Sequence, residues 1–134
     1  MASIFTRIVQ GEIPCYKVAE TEDFLAFLDI RPMAKGHTLA IPKREVDYLF
    51  DLPDDLYVGL QVFAREVARG LRKAVPCLRI GTAVIGLEVP HAHIHLIPLN
   101  AISDLSFSKP PLQMTPQEFE ALAQEIREAI ASEG

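Results

Sequence analysis

The stretch that determines the fold of this chain is Pro90-His91-Ala92-His93-Ile94-His95-Leu96-Ile97-Pro98. Three of the four histidines in the chain stand here at every second position. In an extended strand, residues two apart share one face at a spacing of roughly 6.5–7 Å. The pattern therefore predicts a strand with the three histidines on one face. The alternating residues Ala92, Ile94 and Leu96 are expected to pack into a core on the other face.

Elements of both kinds are expected on either side of this strand. A short helix capped by Ser3 is expected to run to about Gln10, followed by strands at about 15–20, 24–30 and 37–42. A long helix is expected from about Pro53 to just before Pro76. Strands at about 80–87 and from His91 to Pro98 come next, and a last helix starts at Thr115. Apolar residues recur at helical spacing in the long helix, and Thr115 and Glu118 form a capping box. This order implies an α+β domain with a largely antiparallel sheet of about five strands. One long helix packs on the sheet, and short N-terminal and C-terminal helices complete the domain.

Length, charge and cysteine content limit the possible classes of protein. A chain of 134 residues is expected to form one domain, 1–134, with a core at about 3–100 and a C-terminal loop and helix at about 101–134. The net charge of −5 argues against a nucleic-acid partner bound by bulk electrostatics. Cys15 and Cys77 are too few for a disulfide framework. No segment has the length of a membrane span or the character of a signal peptide. We expect a cytoplasmic protein that binds neither nucleic acid nor membrane.

The three alternating histidines have three interpretations. They can lie on a solvated strand face with no role. They can supply ligands to Zn²⁺, with His37 and then Asp29 or Glu88 as further ligands. They can also provide a nucleophile, because a neutral imidazole attacks an electrophile through one nitrogen when the other donates its proton to a fixed acceptor. Phosphorus is a suitable electrophile, with neighbouring histidines on the anionic oxygens or the leaving group.

Four segments in order resemble the histidine triad (HIT) family of nucleotidyl hydrolases and transferases. The segments are Ile4–Pro14, similar to the opening helix and turn of the family; Phe24–Ile30 and Lys35–Lys43, similar to its nucleotide-binding hairpin; and His91–Ile97, which matches the signature His-x-His-x-His-x-x throughout. The resemblance covers about residues 3–98 and is greatest to the Hint-like branch of purine-nucleoside phosphoramidases. It implies a HIT-like fold and a homodimer.

The resemblance also assigns roles to individual residues. His93 is expected to attack the α-phosphorus and form a nucleotidyl-histidine intermediate, His95 to contact phosphate, His91 to hold the nucleophile, partly through its backbone carbonyl, and His37 to be a further active-site histidine. Asp29 is expected to accept hydrogen bonds from the ribose hydroxyls. Apolar residues expected at the nucleotide are Phe5, Ile8, Ile13, Phe27, Leu28 and Ile30. The implied substrate is a purine nucleotide similar to AMP, and no cofactor or metal is expected.

This sequence departs from the family pattern near the phosphate. Many relatives carry a Gly-Gln-[Ser/Thr] segment before the triad, whereas this chain has Gly86-Leu87-Glu88. A carboxylate at Glu88, on the leaving-group side, predicts a preference for amine leaving groups over polyphosphates. Ser3 and Thr6 stand where bacterial relatives often have two zinc-binding cysteines, and hydroxyls are poor zinc ligands. The alternatives that stay open are a nucleotide-binding or scaffold protein with little turnover and a zinc-dependent hydrolase.

Overall fold

The protein folds as a five-stranded sheet with two long helices on one face and a short helix on the other. A computed structural model describes residues 2–133, without the side chain of Glu133. The elements are α1 (Ile4–Val9), β1 (Lys17–Glu20), β2 (Phe24–Leu28), β3 (Thr38–Pro42), a 3-10 turn (Leu49–Asp51), α2 (Asp54–Ala74), β4 (Arg79–Ala83), β5 (Ile94–Leu99), a second 3-10 turn (Ile102–Asp104) and α3 (Pro116–Glu133). The strand order is β1-β2-β3-β5-β4, and each pair of neighbours is antiparallel. The predicted α+β class and antiparallel sheet are confirmed.

The main core lies between the sheet and the helices α2 and α3. Helix α2 begins after Pro53, has two aspartates in its first turn, and buries Leu60, Phe63, Val67 and Leu71 as one apolar face. The residues that the sheet contributes to this core alternate along its strands. They include Ala26 and Leu28 of β2, Ala40 of β3, and Ala92, Ile94 and Leu96 of the histidine segment.

Helix α3 begins with the predicted capping box and is longer than the short helix expected. The Thr115 N–H donates to the Glu118 carboxylate at 2.8 Å, and the Glu118 N–H donates to the Thr115 hydroxyl at 3.1 Å. The helix spans 18 residues and packs against α2. At Gly70 the two backbones come so close that a Cβ atom there would lie 2.8 Å from the Cα of Ile130. Only glycine fits at that crossing.

A second, smaller cluster lies on the opposite face of the sheet, and it forms the floor of the site. Its buried members are Phe5 of α1, Leu25 and Phe27 of β2, and Leu39 and Ile41 of β3. The Ser3 hydroxyl accepts a hydrogen bond from the Thr6 N–H and so caps α1, as predicted. The histidines emerge on this second face because they alternate with Ala92, Ile94 and Leu96.

Strands β4 and β5 depart most from the predicted bounds. Strand β4 ends at Ala83 instead of near Leu87, and the positive φ of 73° at Gly86 is incompatible with an extended strand that continues to Leu87. Regular pairing of the histidine strand begins at Ile94 instead of His91. The His91 N–H instead bonds to the Val89 carbonyl at 2.8 Å, and the Ala92 N–H bonds to the Val46 carbonyl at 2.7 Å. His91 and His93 therefore keep the alternation of a strand while lying just before it.

No helix within residues 2–133 combines the length and the apolar composition that a membrane crossing requires.

Candidate active site

The structure brings all four histidines together on the α1 side of the sheet. His37, His91, His93 and His95 are all buried. His95 lies on β5 opposite Leu39 of β3, and His37 immediately precedes β3. The ring centres of His93 and His95 are 5.0 Å apart, and those of His37 and His95 are 5.2 Å apart. The expected cluster is therefore present, and its hydrogen bonds identify where each proton lies.

The hydrogen bond of His93 leaves one ring nitrogen free for attack. Its Nδ1 lies 2.7 Å from the backbone carbonyl oxygen of His91. A carbonyl only accepts, so Nδ1 carries the proton and the lone pair of the neutral ring is on Nε2. The ring edge of Phe5 packs against His93 with centroids 5.1 Å apart and planes at 88°. The ring of His93 is thus held in orientation from two sides.

His91 is fixed at both ring nitrogens. Its Nε2 lies 2.7 Å from the carbonyl oxygen of Pro42, and it therefore donates a proton there. Its Nδ1 is then an acceptor and receives the hydroxyl proton of Ser3 across 2.8 Å. Burial lowers the pKa of His91, which favours the neutral ring.

A directed pair of hydrogen bonds runs from the backbone through His37 to His95. The Met33 N–H donates to His37 Nδ1 at 3.1 Å. The proton of the neutral ring is therefore on His37 Nε2, which lies 2.9 Å from His95 Nδ1 and donates to it. His95 Nδ1 is thus an acceptor, and its proton lies on Nε2. Burial, with the neighbouring histidines, lowers the pKa values of His37 and His95 to about 4.

The two functional nitrogen atoms reach the surface of the site. Within residues 2–133, no fully buried side-chain nitrogen or oxygen lacks a hydrogen-bond partner. The Nε2 atoms of His93 and His95 have no hydrogen-bond partner among these residues. They are therefore not fully buried and are accessible from the site. One presents a lone pair and the other presents an N–H. This arrangement can attack an electrophilic phosphorus and hold one of its oxygens.

Asp29 lies at the end of β2 beside the histidine pair. Its Oδ2 is 3.5 Å from His37 Nε2, and its Oδ1 accepts from the Arg31 N–H at 2.9 Å. Burial raises the pKa of this carboxyl group. The position at a strand end, partly exposed, leaves carboxylate lone pairs available to a ligand.

The apolar residues predicted at the nucleotide divide between the two faces of the sheet. Phe5 and Phe27 are buried together with ring centres 5.5 Å apart, and Ile8 packs against the same cluster. Ile13 is partly buried, and Ile30 is 68% exposed beside Asp29. Leu28 packs into the helix-side core, so its side chain lies on the face opposite to the histidines. The structure does not bring Leu28 together with the others.

A cavity of about 290 Å³ adjoins His93 on the side of the segment that precedes the triad. Its lining includes Asp47, Tyr48, Phe50, Ile85, Leu87 and His93. Leu87 is 88% exposed, and Glu88 is exposed next to it but does not line the cavity.

Several groups at the site were not anticipated as participants. Phe107 follows the second 3-10 turn and packs its ring against His95 with centroids 5.0 Å apart. It lies outside the segments that carry the family resemblance, and a lone aromatic in a loop gives no sequence signal. Glu45 accepts hydrogen bonds from Ser3 and Thr6 beneath His91. The Met33 N–H is a backbone group, which sequence reasoning cannot assign.

The hydrogen bonds of the site determine whether its potential ligand atoms can hold a metal ion. One atom each from Asp29, His37 and His95 lies within 4.8 Å of the others, as the metal interpretation requires. A neutral imidazole that binds a metal through Nε2 must carry its proton on Nδ1, whereas His37 Nδ1 accepts from the Met33 N–H. At His91, the groups that contact Nδ1 are the hydroxyls of Ser3 and Thr6, which are poor zinc ligands, and the Glu45 carboxylate is bonded to these hydroxyls. Neither donor set fits zinc.

Comparisons with known proteins identify the family. The HIT domain model matches residues 10–102. The chain is 36% identical over 132 residues to the adenosine 5′-monophosphoramidase hnt1 of Schizosaccharomyces pombe, covering 97% of this chain and 99% of that protein. It is 39% identical over 98 residues to the adenosine 5′-monophosphoramidase HNT1 of Saccharomyces cerevisiae, covering 72% and 62% of the two chains. The protein belongs to the HIT family, and these relatives support its assignment to the Hint-like branch.

Solved structures agree with this assignment. A zinc-bound histidine triad family protein from Mycobacterium smegmatis superposes with a TM-score of 0.84 at 31% identity, covering 98% of this chain and 95% of that one. A histidine triad nucleotide-binding protein from Sulfolobus tokodaii gives a TM-score of 0.82 at 30% identity, covering 96% and 91%. The predicted HIT-like fold is confirmed.

Proposed function

We propose that this protein is a nucleotide phosphoramidase that works through a covalent intermediate on His93. The observation that carries the proposal is the 2.7 Å hydrogen bond from His93 Nδ1 to the His91 carbonyl, since it leaves the Nε2 lone pair directed outward. Two relatives that are 36% and 39% identical are adenosine 5′-monophosphoramidases, which supports the same reaction class and an AMP-like substrate here.

The reaction has two displacements at the α-phosphorus. In the first, His93 Nε2 forms a bond to phosphorus while the P–N bond breaks. The substrate nitrogen is protonated before it leaves, so the leaving group is the neutral amine. The resulting positive charge on the ring is shared with Nδ1–H, which the His91 carbonyl continues to accept. In the second, water attacks phosphorus and the N–P bond breaks. The products are the nucleoside monophosphate, a proton and neutral His93.

His95 contributes by stabilising charge on the phosphoryl oxygens. Its Nε2–H is held as a donor because His37 donates to its Nδ1 at 2.9 Å. A donor fixed in advance needs no reorganisation when negative charge develops, and this is the main source of rate enhancement in such sites. The low pKa of His37 keeps this pair neutral at pH 7, so the direction of the hydrogen bond is maintained.

Nucleotide recognition is assigned to the strand end and the apolar cluster beside it. Asp29 accepts hydrogen bonds from the ribose hydroxyls, and Phe5, Ile8, Ile13, Phe27 and Ile30 contact the base. The support is their placement, because the carboxylate lies 3.5 Å from His37 and the aromatic rings pack next to His93. A purine fits this role because a large flat base buries more apolar area than a pyrimidine.

The test is AMP release from adenosine 5′-phosphoramidate by the wild-type protein and by His93→Ala, with mass analysis of rapidly quenched protein. We expect turnover and a nucleotidyl adduct in the wild type and neither in the variant. An active His93→Ala variant would refute the nucleophilic role. The matched control is Glu118→Ala, an exposed carboxylate at the start of α3, which should keep both the turnover and the adduct.

A second candidate function is a nucleotide-binding protein with little turnover. It is favoured by the exposed Leu87 and Glu88, which stand where relatives carry polar groups able to donate hydrogen bonds to phosphate. Tight AMP binding without turnover in either protein of the first experiment would support it. A zinc-dependent hydrolase would instead contain about one zinc ion per subunit after purification, and its activity would rise and fall with the zinc content.

We also propose a homodimer located in the cytoplasm. Strand β4 stands at the end of the strand order and pairs on one side with β5, so its other edge is available to a second copy of the chain. Cys15 and Cys77 are free thiols, which suits a reducing compartment. Light scattering of the purified protein at micromolar concentration tests the dimer, and a monomeric mass would refute it.

A further inference from the structure

A hydrogen-bond network on the far side of His91 has no role in the reaction as described above. Its members are Ser3 and Thr6 at the start of α1 and Glu45 in the segment after β3. One carboxylate oxygen of Glu45 accepts from the Ser3 N–H at 2.7 Å and from the Thr6 hydroxyl at 2.6 Å. These are contacts between residues 42 and 39 positions apart in the chain. They connect the start of α1 to the segment after β3, and the Ser3 hydroxyl, 2.8 Å from His91 Nδ1, links both to His91.

The direction of each proton in the network follows from the acceptors. The ionised carboxylate only accepts, and the two hydrogen bonds, with that from Thr6 the larger cause, lower the pKa of Glu45 to about 2. The Thr6 hydroxyl proton therefore goes to Glu45. The Ser3 oxygen accepts from the Thr6 N–H at 3.0 Å, and its own proton is left for His91 Nδ1 at 2.8 Å. The network thus presents one fixed hydroxyl donor to His91 Nδ1, in agreement with the tautomer that the Pro42 carbonyl sets.

The segment that carries Glu45 also holds the backbone around His91. The Pro42 carbonyl accepts from His91 Nε2 at 2.7 Å, and the Val46 carbonyl accepts from the Ala92 N–H at 2.7 Å. Residues 42–46 therefore contact the ring of His91, the following amide and the start of α1. The carbonyl between these contacts, that of His91, is the acceptor for His93 Nδ1.

We propose that Glu45 is a positioning residue for the nucleophile: through Thr6 and Ser3 it holds the ring of His91 in place, and so the carbonyl that orients His93. Helix α1 extends this effect, because Phe5 lies between Ser3 and Thr6 and packs edge-on against the rings of His91 and His93, at 5.8 and 5.1 Å. Without Glu45, the Thr6 and Ser3 hydroxyls compete to donate to His91. The proposal rests on the role of His93 in the proposed function.

The experiment compares Glu45→Ala, Glu45→Gln and Glu118→Ala in the full chain. The glutamine amide oxygen can still accept from both Ser3 and Thr6. Glu118 is the matched control, since it is also an exposed carboxylate that accepts from a backbone N–H at a helix start. We measure kcat and KM with adenosine 5′-phosphoramidate, Tm, and the ¹⁵N shifts of the His91 ring.

Positioning predicts a selective loss of turnover. In Glu45→Ala, kcat should fall roughly tenfold, with KM changed less than about twofold, because the lost interaction acts on orientation and not on substrate contacts. Glu45→Gln should recover most of kcat, and Glu118→Ala should keep it. The Nδ1 shift of His91 should report one strong hydrogen bond in the wild type and should change in Glu45→Ala, because the two hydroxyls then compete for this nitrogen.

Other results overturn the proposal. An unchanged kcat in Glu45→Ala, or an equal fall of kcat in Glu118→Ala, would show that Glu45 contributes only to stability. An unchanged ¹⁵N shift of His91 Nδ1 in Glu45→Ala would also refute it. If the wild type releases no AMP, the proposed function fails, and the ¹⁵N measurement still decides independently whether Glu45 sets the state of His91.

Discussion

The hydrogen bond from His37 to His95 provides a sharp test of how the site is organised. His37 uses both nitrogens, accepting from Met33 at Nδ1 and donating to His95 at Nε2. His37→Gln places an amide N–H at about the position of Nε2 and loses the acceptor at Nδ1. His37→Asn does the reverse, with an amide oxygen near Nδ1 and no group that reaches His95. The two variants therefore separate the two hydrogen bonds.

The magnitude follows from the burial of the pair, since His37 is 2% and His95 is 8% exposed. A buried acceptor that loses its donor costs about 1–3 kcal/mol. His95 can avoid this cost by moving its proton to Nδ1, and it then loses the Nε2–H that holds the phosphoryl oxygen. Either way the transition state loses a comparable amount, which corresponds to about 5–150-fold in rate.

The assay is kcat/KM for adenosine 5′-phosphoramidate at pH 7 for both variants, with Tm to monitor folding. His37→Gln is expected to keep at least about a third of the wild-type value, and His37→Asn to lose about 5–150-fold. A His37→Asn variant as active as His37→Gln would refute the argument that His37 acts by orienting the proton of His95.

Three further predictions concern pH, packing and specificity. Burial lowers the pKa values of His37 and His95 to about 4, so the unfolded chain takes up protons at a higher pH than the folded protein. The free energy of unfolding should therefore fall as the pH drops from about 6.5 to 4. A constant free energy of unfolding over that range, measured by urea denaturation, would contradict this. Gly70→Ala should destabilise the fold by roughly 1–3 kcal/mol, because its Cβ would lie 2.8 Å from the Cα of Ile130; an unchanged Tm would show that the helices can separate without cost. Glu88→Gln should raise turnover of diadenosine polyphosphate relative to phosphoramidate, since it removes charge repulsion; an unchanged ratio would count against a role for this carboxylate.

The parts of the fold that follow local rules were predictable from the sequence. The cap at Ser3, the capping box of Thr115 and Glu118, and the buried face of α2 depend on residues within a few turns of each other. The end of β4 and the start of the histidine strand were not predictable from the sequence. They depend on a positive φ at Gly86 and on backbone hydrogen bonds from His91 and Ala92 to distant or irregular segments. Periodicity detects which residues alternate but not where pairing begins.

The chemistry of the site was predictable only as far as residue types reveal it. The alternation of histidines, together with the family resemblance, indicated the cluster and the nucleophile. The sequence does not show which nitrogen carries each proton, because that depends on the Met33 N–H and the carbonyls of Pro42 and His91. The family resemblance places Leu28 with the nucleotide-binding residues, while strand alternation turns its side chain toward the helices.

The most direct test of the account is the site of covalent modification. Wild-type protein is mixed with adenosine 5′-phosphoramidate, quenched within milliseconds to seconds, and digested for mass spectrometry of the peptide that contains the three alternating histidines. The account predicts an adduct with the mass of AMP minus water on His93, absent from His93→Ala. Turnover with no adduct in the wild type, or an adduct on His91 or His95, would contradict it.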